Sequence, residues 1–179
     1  MGNISSPDQV LLIIAACSRH IEALQWACAR SVSEYGKVYS TSEAFNFAET
    51  DYYTASMGPN LKKQFFAFET PIDPAALAHI KCTTNQWEAE YAALGRHAEP
   101  RPLNLDPGYI TPAKLVLAST KDHAHRIYLA GGIYAEVTLS FRAGRWQPLE
   151  WTYPDYRRED YQEFFTACRQ HVLSAQPRT

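Results

Sequence analysis

Gln9–Cys17 reads QVLLIIAAC. From Val10 onward it contains no polar residue, and it has the length of a strand. A half-exposed strand alternates apolar with polar side chains, whereas an unbroken apolar run of this length is a strand covered on both faces. The run therefore belongs inside a sheet that carries other elements packed on it. Ser18 is placed to cap a following helix, whose Ile21, Leu24, Cys28 and Val32 fall at helical spacing and whose end is marked by Tyr35-Gly36. KVYSTSEAFNFAE (37–49) is β-prone around a Ser/Thr turn, and KKQFFAFET (62–70) is a further strand. Asp73-Pro74 pairs an N-cap with proline at the first helical position. The helix after it carries Leu77, Ile80, Trp87, Tyr91 and Leu94 on one stripe, and Gly95 stops it. A strand near Leu103–Leu105 completes the order βαββαβ, which is that of a ferredoxin-like α+β sandwich.

The second half is richer in hairpins. Asp106-Pro107-Gly108 has turn chemistry, KLVLAS (114–119) is a short buried strand, and RAGRW (142–146) makes a tight turn. WTYPDYRRED (151–160) reads as a loop. The last helix gathers Tyr161, Phe164, Phe165, Cys168 and Val172 on one face, with a frayed tail from Ser174. The expected fold is one α+β domain over residues 1–179. A ferredoxin-like half is followed by a β-hairpin-rich half and a C-terminal helix, forming one mixed or antiparallel sheet with helices packed on it.

Bulk properties narrow the function. A formal charge of −2 gives no long-range field for nucleic acid, so there is no broad DNA-binding signal. The longest apolar run is too short to span a membrane, and nothing in the sequence resembles a signal peptide. Cys17, Cys28, Cys82 and Cys168 form no CxxC pair and read as free buried thiols, which suits a cytoplasmic protein. The opening MGNISS fits the short N-myristoylation pattern, to which chance matches are common. Aromatic residues make up 13% of the chain, with 11 tyrosines among them, and tyrosine serves cores and binding surfaces alike.

The densest chemistry lies in TKDHAHRIYLAGGIYAEVTL (120–139). Side chains alternate along strands, and a three-residue loop at Gly131–Ile133, or an equivalent bulge, sorts them by polarity. One face then buries Ile127, Leu129, Ala135, Val137, Leu139 and Phe141. The other shows Arg126, Tyr128, Glu136 and Thr138, with Arg126 diagonal to Glu136. This polar face is either a solvated surface with a cross-strand ion pair or a binding surface held on rigid strands.

Asp51, Asp106, Asp122, His125, Glu136 and Asp155 all sit at turns or beside short strands, where sites often lie. Asp106, Asp122, His125 and Glu136 are the candidates for acid, base or metal-binding work. Carboxylates with a single histidine suit Mg²⁺ or Mn²⁺ better than zinc; His123 and His125 give only a weak H-x-H signal, and no second histidine cluster is visible. Lys114, Lys121, Arg126 and Arg157 supply positive charge, with Tyr109, Tyr128, Tyr134 and Tyr156 as aromatic neighbours. That combination suits a phosphate-bearing ligand with a stackable ring. Asp51 or Asp155 is expected to partner the hydroxyl of a buried tyrosine.

Long stretches carry a family resemblance. TDYYTASMGPNLKKQFFAFETPIDP (50–74), NLDPGYITPAKLVLASTKDHAHRIYLAGGIYAEVTL (104–139) and QPLEWTYPDYR (147–157) resemble the bacterial DUF4416 family, and the resemblance covers almost the whole chain. It implies no particular activity. Members are often labelled GTP-binding proteins, yet this chain has no G-x-x-x-x-G-K-[ST] loop, because Gly58-Pro59-Asn60-Leu61-Lys62-Lys63 lacks the second glycine.

Two functions are therefore expected from the sequence. In the first, the protein binds a nucleotide or an RNA end and acts as a phosphoester hydrolase or transferase. Arg126, Lys121 and Lys114 then hold phosphate, Tyr128, Tyr134 and Arg157 assist, Glu136 and Asp106 bind metal or act as base, and His125 donates a proton. In the second, the aromatic surface is a protein interface, a homodimer face included. A pocket joining Arg126, Glu136 and Asp106 would favour the first, and a flat apolar patch the second.

Overall fold

In the computed structural model, which describes residues 2–50 and 52–175, the QVLLIIAAC run forms β1 (Leu11–Ser18), and every residue of it is buried. It pairs antiparallel with β4 (Leu61–Phe68) on one side and β5 (Asn104–Ile110) on the other. Beyond β4 lie β2 (Val38–Thr41) and β3 (Phe45–Phe47), two pieces of one broken edge. Beyond β5 come β6 (Lys114–Ser119), β8 (Ile133–Arg142) and β7 (Ile127–Ala130), with β9 (Arg145–Pro148) also pairing β8. Every pairing is antiparallel. The order β2-β4-β1-β5 is that of the expected ferredoxin-like half.

The helices show why β1 had to be apolar throughout. Leu12, Ile14 and Ala16 face α1 (Ile21–Tyr35) and α3 (Leu77–Ala93), packing with Leu24, Ala27, Ile80, Trp87 and Tyr91. Leu11, Ile13 and Ala15 face the other way, into a core with Phe65 and the stripe Tyr161, Phe164, Phe165, Cys168 and Val172 of α4 (Glu159–Ala175). The stripe of α4 is the one read from the sequence. Ser174 and Ala175 are still helical, and the rest of the expected frayed tail lies outside the described residues.

Smaller expectations need correcting. The N-cap of α1 is His20, not Ser18, whose hydroxyl instead donates to Pro102 O at 2.6 Å. The buried face of α1 is Ala23, Leu24, Ala27 and Ser31, which leaves Ile21 and Val32 exposed. Leu94 is exposed too, at the end of α3. Asp73 does cap its helix, accepting from Ala75 N at 2.8 Å ahead of a one-turn 3-10 segment, Pro74–Ala76.

Asp106-Pro107-Gly108 is not a turn; it lies within β5. β6 pairs with β5 only over Gly108–Ile110, so Pro107 stands where the ladder on that side has ended and a missing donor is tolerated. Gly108 is required by space. A Cβ there would lie 2.3 Å from Val116 O and 2.6 Å from Leu117 Cδ2.

The expected apolar face of the hairpin also fails. Its turn is Gly131-Gly132, with the anticipated bulge falling at Leu129. A second bulge, at Thr138, was not foreseen: Leu115 pairs Leu139 while Val116 pairs Val137. The phase of the strand flips there. Ala135 and Val137 point to the α3 side, and Leu139 and Phe141 to the α4 side. On β7, the outermost strand, Ile127 is 73% exposed and Leu129 39%, because no layer roofs them. Glu136 and Thr138, expected on the open face, are buried, as Ile133 and Leu139 are.

Replacing Gly108 with alanine is expected to destabilise the fold by about 3 kcal/mol, since the clash is with backbone that cannot rotate away. A lowered urea midpoint with an unchanged m-value is the expected result; an unchanged midpoint would mean that β5 and β6 can separate at no cost.

Candidate functional site

Past Gly108 the backbones of β5 and β6 are no longer paired. A cavity of about 460 Å³ opens at this divergence, on the α4 side of the sheet, and Lys81 reaches it from α3. Its floor is built by alternation. Lys63 sits in register with Leu61, Phe65 and Ala67 on the inward face of β4, and Asp106 pairs Ala15 on β1. Leu117 and Ser119 of β6 and Glu136 of β8 continue the floor. Over it lie the 3-10 segment Pro154–Arg157, Tyr153, and Tyr52-Tyr53 just ahead of α2 (Thr54–Met57).

Three charge clusters line the cavity. In the first, Lys63 Nζ meets Asp155 Oδ2 at 2.5 Å, and both side chains are almost wholly buried. Burial works against the lysine charge, but the neighbouring carboxylate of Asp155 outweighs it and holds the pKa above the usual lysine value, so the group stays an ammonium. Nζ also lies 4.2 Å from the Phe47 ring centre and 5.1 Å from that of Tyr156.

The second cluster joins α3 to β5. Lys81 Nζ donates to Leu105 O at 2.6 Å and Asp106 Oδ1 at 3.0 Å, and Asn104 Nδ2 donates to Asp106 Oδ2 at 2.6 Å. Arg101 donates through Nε and Nη2 to Glu88 Oε2 and through Nη2 to Asn104. Burial raises the Glu88 pKa, with Lys81 and Arg101 pulling the other way. Burial would also raise that of Asp106, but the charges of Lys81 and Lys63 and the bonds from Lys81 and Asn104 outweigh it and hold the group below 3.8.

The third cluster is the hairpin pair. Arg126 Nε meets Glu136 Oε2 at 2.9 Å, with each side chain 3% exposed. Glu136 also takes His125 Nε2 at 3.0 Å and the Thr138 hydroxyl at 3.0 Å. Arg126 further donates to Ser119 Oγ, Lys121 O and Tyr153 Oη. His125 lies behind Glu136, stacked on Trp151 at 5.0 Å between ring centres.

The structure thus brings Glu136, Asp106, Arg126 and Lys121 to one cavity. Lys121 stands at the rim, donating to Tyr52 Oη at 2.9 Å. Other sequence candidates lie elsewhere. Lys114 is at the opposite end of β6, paired with Ser140. Asp122 is exposed outside the cavity. Tyr128 and Tyr134 pair on the outer hairpin, 5.4 Å apart. Arg157 is bound to the carbonyls of Leu149, Glu150 and Thr152 and holds its own loop. Asp51 lies outside the described residues. Asp155 was expected to partner a buried tyrosine hydroxyl but bonds Lys63, and the hydroxyl of its neighbour Tyr156 has no partner among the described residues.

Lys63, Lys81, Arg101 and Asn104 were missed. The signal for Lys63 was present: a lysine on the same alternate positions as Leu61, Phe65 and Ala67. Lys81 likewise follows Ile80 on the inward side of its helix. Arg101 and Asn104 carried no such pattern.

Away from the cavity, His20, Glu22 and His97 form a candidate metal-chelating triad, their ligand atoms all within 4.8 Å of one another. The two imidazoles stack with centres 3.7 Å apart, His20 Nε2 is 3.0 Å from Glu99, and His97 Nε2 is 2.9 Å from the Tyr91 hydroxyl. The distance along the chain hid this cluster from the sequence. All four cysteines are free; Cys17 and Cys168 are buried and their thiol pKa values are pushed up to about 12 by burial, while Cys28 and Cys82 are half-buried.

Arg126→Met is expected to cost about 3–5 kcal/mol in urea unfolding, because the buried Glu136 side chain would lose its main partner; adding Glu136→Gln should restore part of the loss. If the single variant unfolds like the wild type, the pair does not hold the wall. Asp106 tests the second cluster through pH. Its depressed pKa contributes stability that is present above pH 3.8 and lost as pH falls through the folded value. The stability gap between wild type and Asp106→Asn should therefore be widest near neutrality and close below pH 3.8; a gap that stays constant would contradict the depressed value.

No curated protein and no solved structure matches the chain. No helix among the described residues is long and apolar enough to cross a membrane. One family model, described as "Domain of unknown function (DUF4416)", matches residues 8–171, and with that span, which takes in every element from β1 to the 3-10 segment Pro154–Arg157, most of α4 and all of the cavity, the chain belongs to the DUF4416 family.

Proposed function

We propose that the cavity binds a small phosphate-bearing ligand, a nucleotide or the end of an RNA. The observation that carries this reading is the convergence of Arg126, Glu136 and Asp106 in one concavity of about 460 Å³ whose rim holds basic groups beside aromatic rings. That volume is in the range of small-molecule sites. The roles divide differently from the sequence expectation. Four of the five N–H groups of Arg126 already meet Glu136, Ser119, Lys121 O and Tyr153, so this side chain positions the wall. Lys121 at the rim, and Arg101, whose Nη1 donates to no acceptor among the described residues, are the phosphate groups of this reading. Both charges act on Tyr52 and lower its pKa, the Lys121 bond first. Tyr52 and Tyr53 are the rings against which a base would stack.

Binding is favoured over catalysis. Both oxygens of Asp106 and both of Glu136 are engaged by protein donors, which leaves neither poised as a base. Mg²⁺ or Mn²⁺ enters this reading with the ligand's phosphates rather than as a resident ion.

A second reading has its own support. Ile127 is 73% and Tyr128 57% exposed on the outer strand β7, which suits a protein interface.

A thermal-shift screen of nucleoside monophosphates and cyclic phosphates, with and without Mg²⁺ or Mn²⁺, separates the two. The expected result is a raised melting temperature with at least one compound, and affinity about tenfold lower in Lys121→Ala. If no compound moves the melting temperature, the cavity reading is wrong and β7 becomes the surface to pursue.

A further inference from the structure

At the buried end of the cavity, polar groups are left with hydrogen-bonding capacity that no described residue fills. Tyr156 is 3% exposed, lines the cavity, and its hydroxyl meets no acceptor among the described residues. Lys63 is 6% exposed, and of its three N–H groups one is used, on Asp155 Oδ2. Asp155, 3% exposed, accepts from Lys63 on Oδ2, while its Oδ1 receives no hydrogen bond among the described residues. Buried donors and acceptors are almost always satisfied, so the unpartnered Tyr156 hydroxyl, beside spare hydrogen-bonding capacity on Lys63 and Asp155, calls for a ligand atom. The charges decide which kind. Lys63 is balanced by Asp155, and Lys81 by Asp106. A phosphate pushed in here would meet the open carboxylate oxygen of Asp155 with no uncompensated cation to offset it. A neutral group that both gives and takes a hydrogen bond fits all three. It donates to Asp155 Oδ1 and accepts from the Tyr156 hydroxyl and Lys63.

We propose that Lys63, Asp155 and Tyr156 form a specificity subsite for a neutral hydroxyl or amide group at the end of the ligand remote from its phosphate. This rests on the cavity reading above and narrows it. The ligand class is a nucleotide or sugar phosphate entering with its uncharged end first and leaving its phosphate by Lys121 and Arg101; bare phosphate lacks the group that the recess recognises.

Calorimetric titration with inorganic phosphate, ribose 5-phosphate, AMP and UMP tests this on wild type, Tyr156→Phe and Lys121→Ala. The removed Tyr156 hydroxyl has no partner among the described residues, so Tyr156→Phe should unfold in urea at the wild-type midpoint or above it. It should bind the organic phosphates roughly tenfold more weakly and inorganic phosphate as the wild type does. Weakening that is already complete with ribose 5-phosphate identifies the group as a sugar hydroxyl; weakening confined to AMP or UMP identifies it as part of the base, and either supports the subsite. Organic phosphates that lose affinity in Lys121→Ala but not in Tyr156→Phe overturn the subsite and leave the cavity reading standing. Wild-type protein that binds none of the four overturns both.

Discussion

Gly108 brings two backbones closer than any side chain would permit, and the rest of the structure is arranged around that contact. On one side of it β5 and β6 pair and the sheet is continuous. On the other the strands part, and the space between them becomes a polar recess inside a layered fold. The same point explains the proline beside it, the lysine that reaches across from α3, and the position of Asp106 between two layers. A sheet with full pairing at this place would have a continuous apolar floor and no room for charge.

The three ion-paired clusters have distinct mechanical roles. Lys63–Asp155 ties the 3-10 segment to β4, Lys81–Asp106 ties α3 to β5, and Arg126–Glu136 ties the hairpin to the loop that carries Tyr153. Buried pairs of this kind add little net stability, because desolvation offsets most of the attraction. What they supply is position. Each fixes a polar atom within a recess whose other wall belongs to a different element, and preorganised polar groups are what a binding site needs.

Much of this was legible in the chain and some was not. QVLLIIAAC dictated a strand covered on both sides, and the α4 stripe declared its partner face. Periodicity worked there because one period governs each element from end to end. It failed on β8, where a bulge at Thr138 changes the phase mid-strand and moves Leu139 to the face that Glu136 occupies. It failed at Asp106-Pro107-Gly108 because turn chemistry and a close strand crossing select the same residues, one for backbone dihedrals and the other for space. Of the site, the hairpin pair was readable because its members are near in sequence. Arg101 and Asn104 join it only through the tertiary fold, and His20 with His97 shows the same limit outside the cavity.

The central position of β1 also governs how the chain reaches this state. Its partners are residues 61–68 and 104–110, so β1 waits for the middle of the chain to gain one neighbour and longer to gain the second. Throughout that interval an eight-residue segment, apolar but for Ser18, has both edges open. Non-local pairing of this sort slows folding and exposes sticky intermediates. α1, which follows β1 directly and packs on it, is the first element able to cover it during that interval.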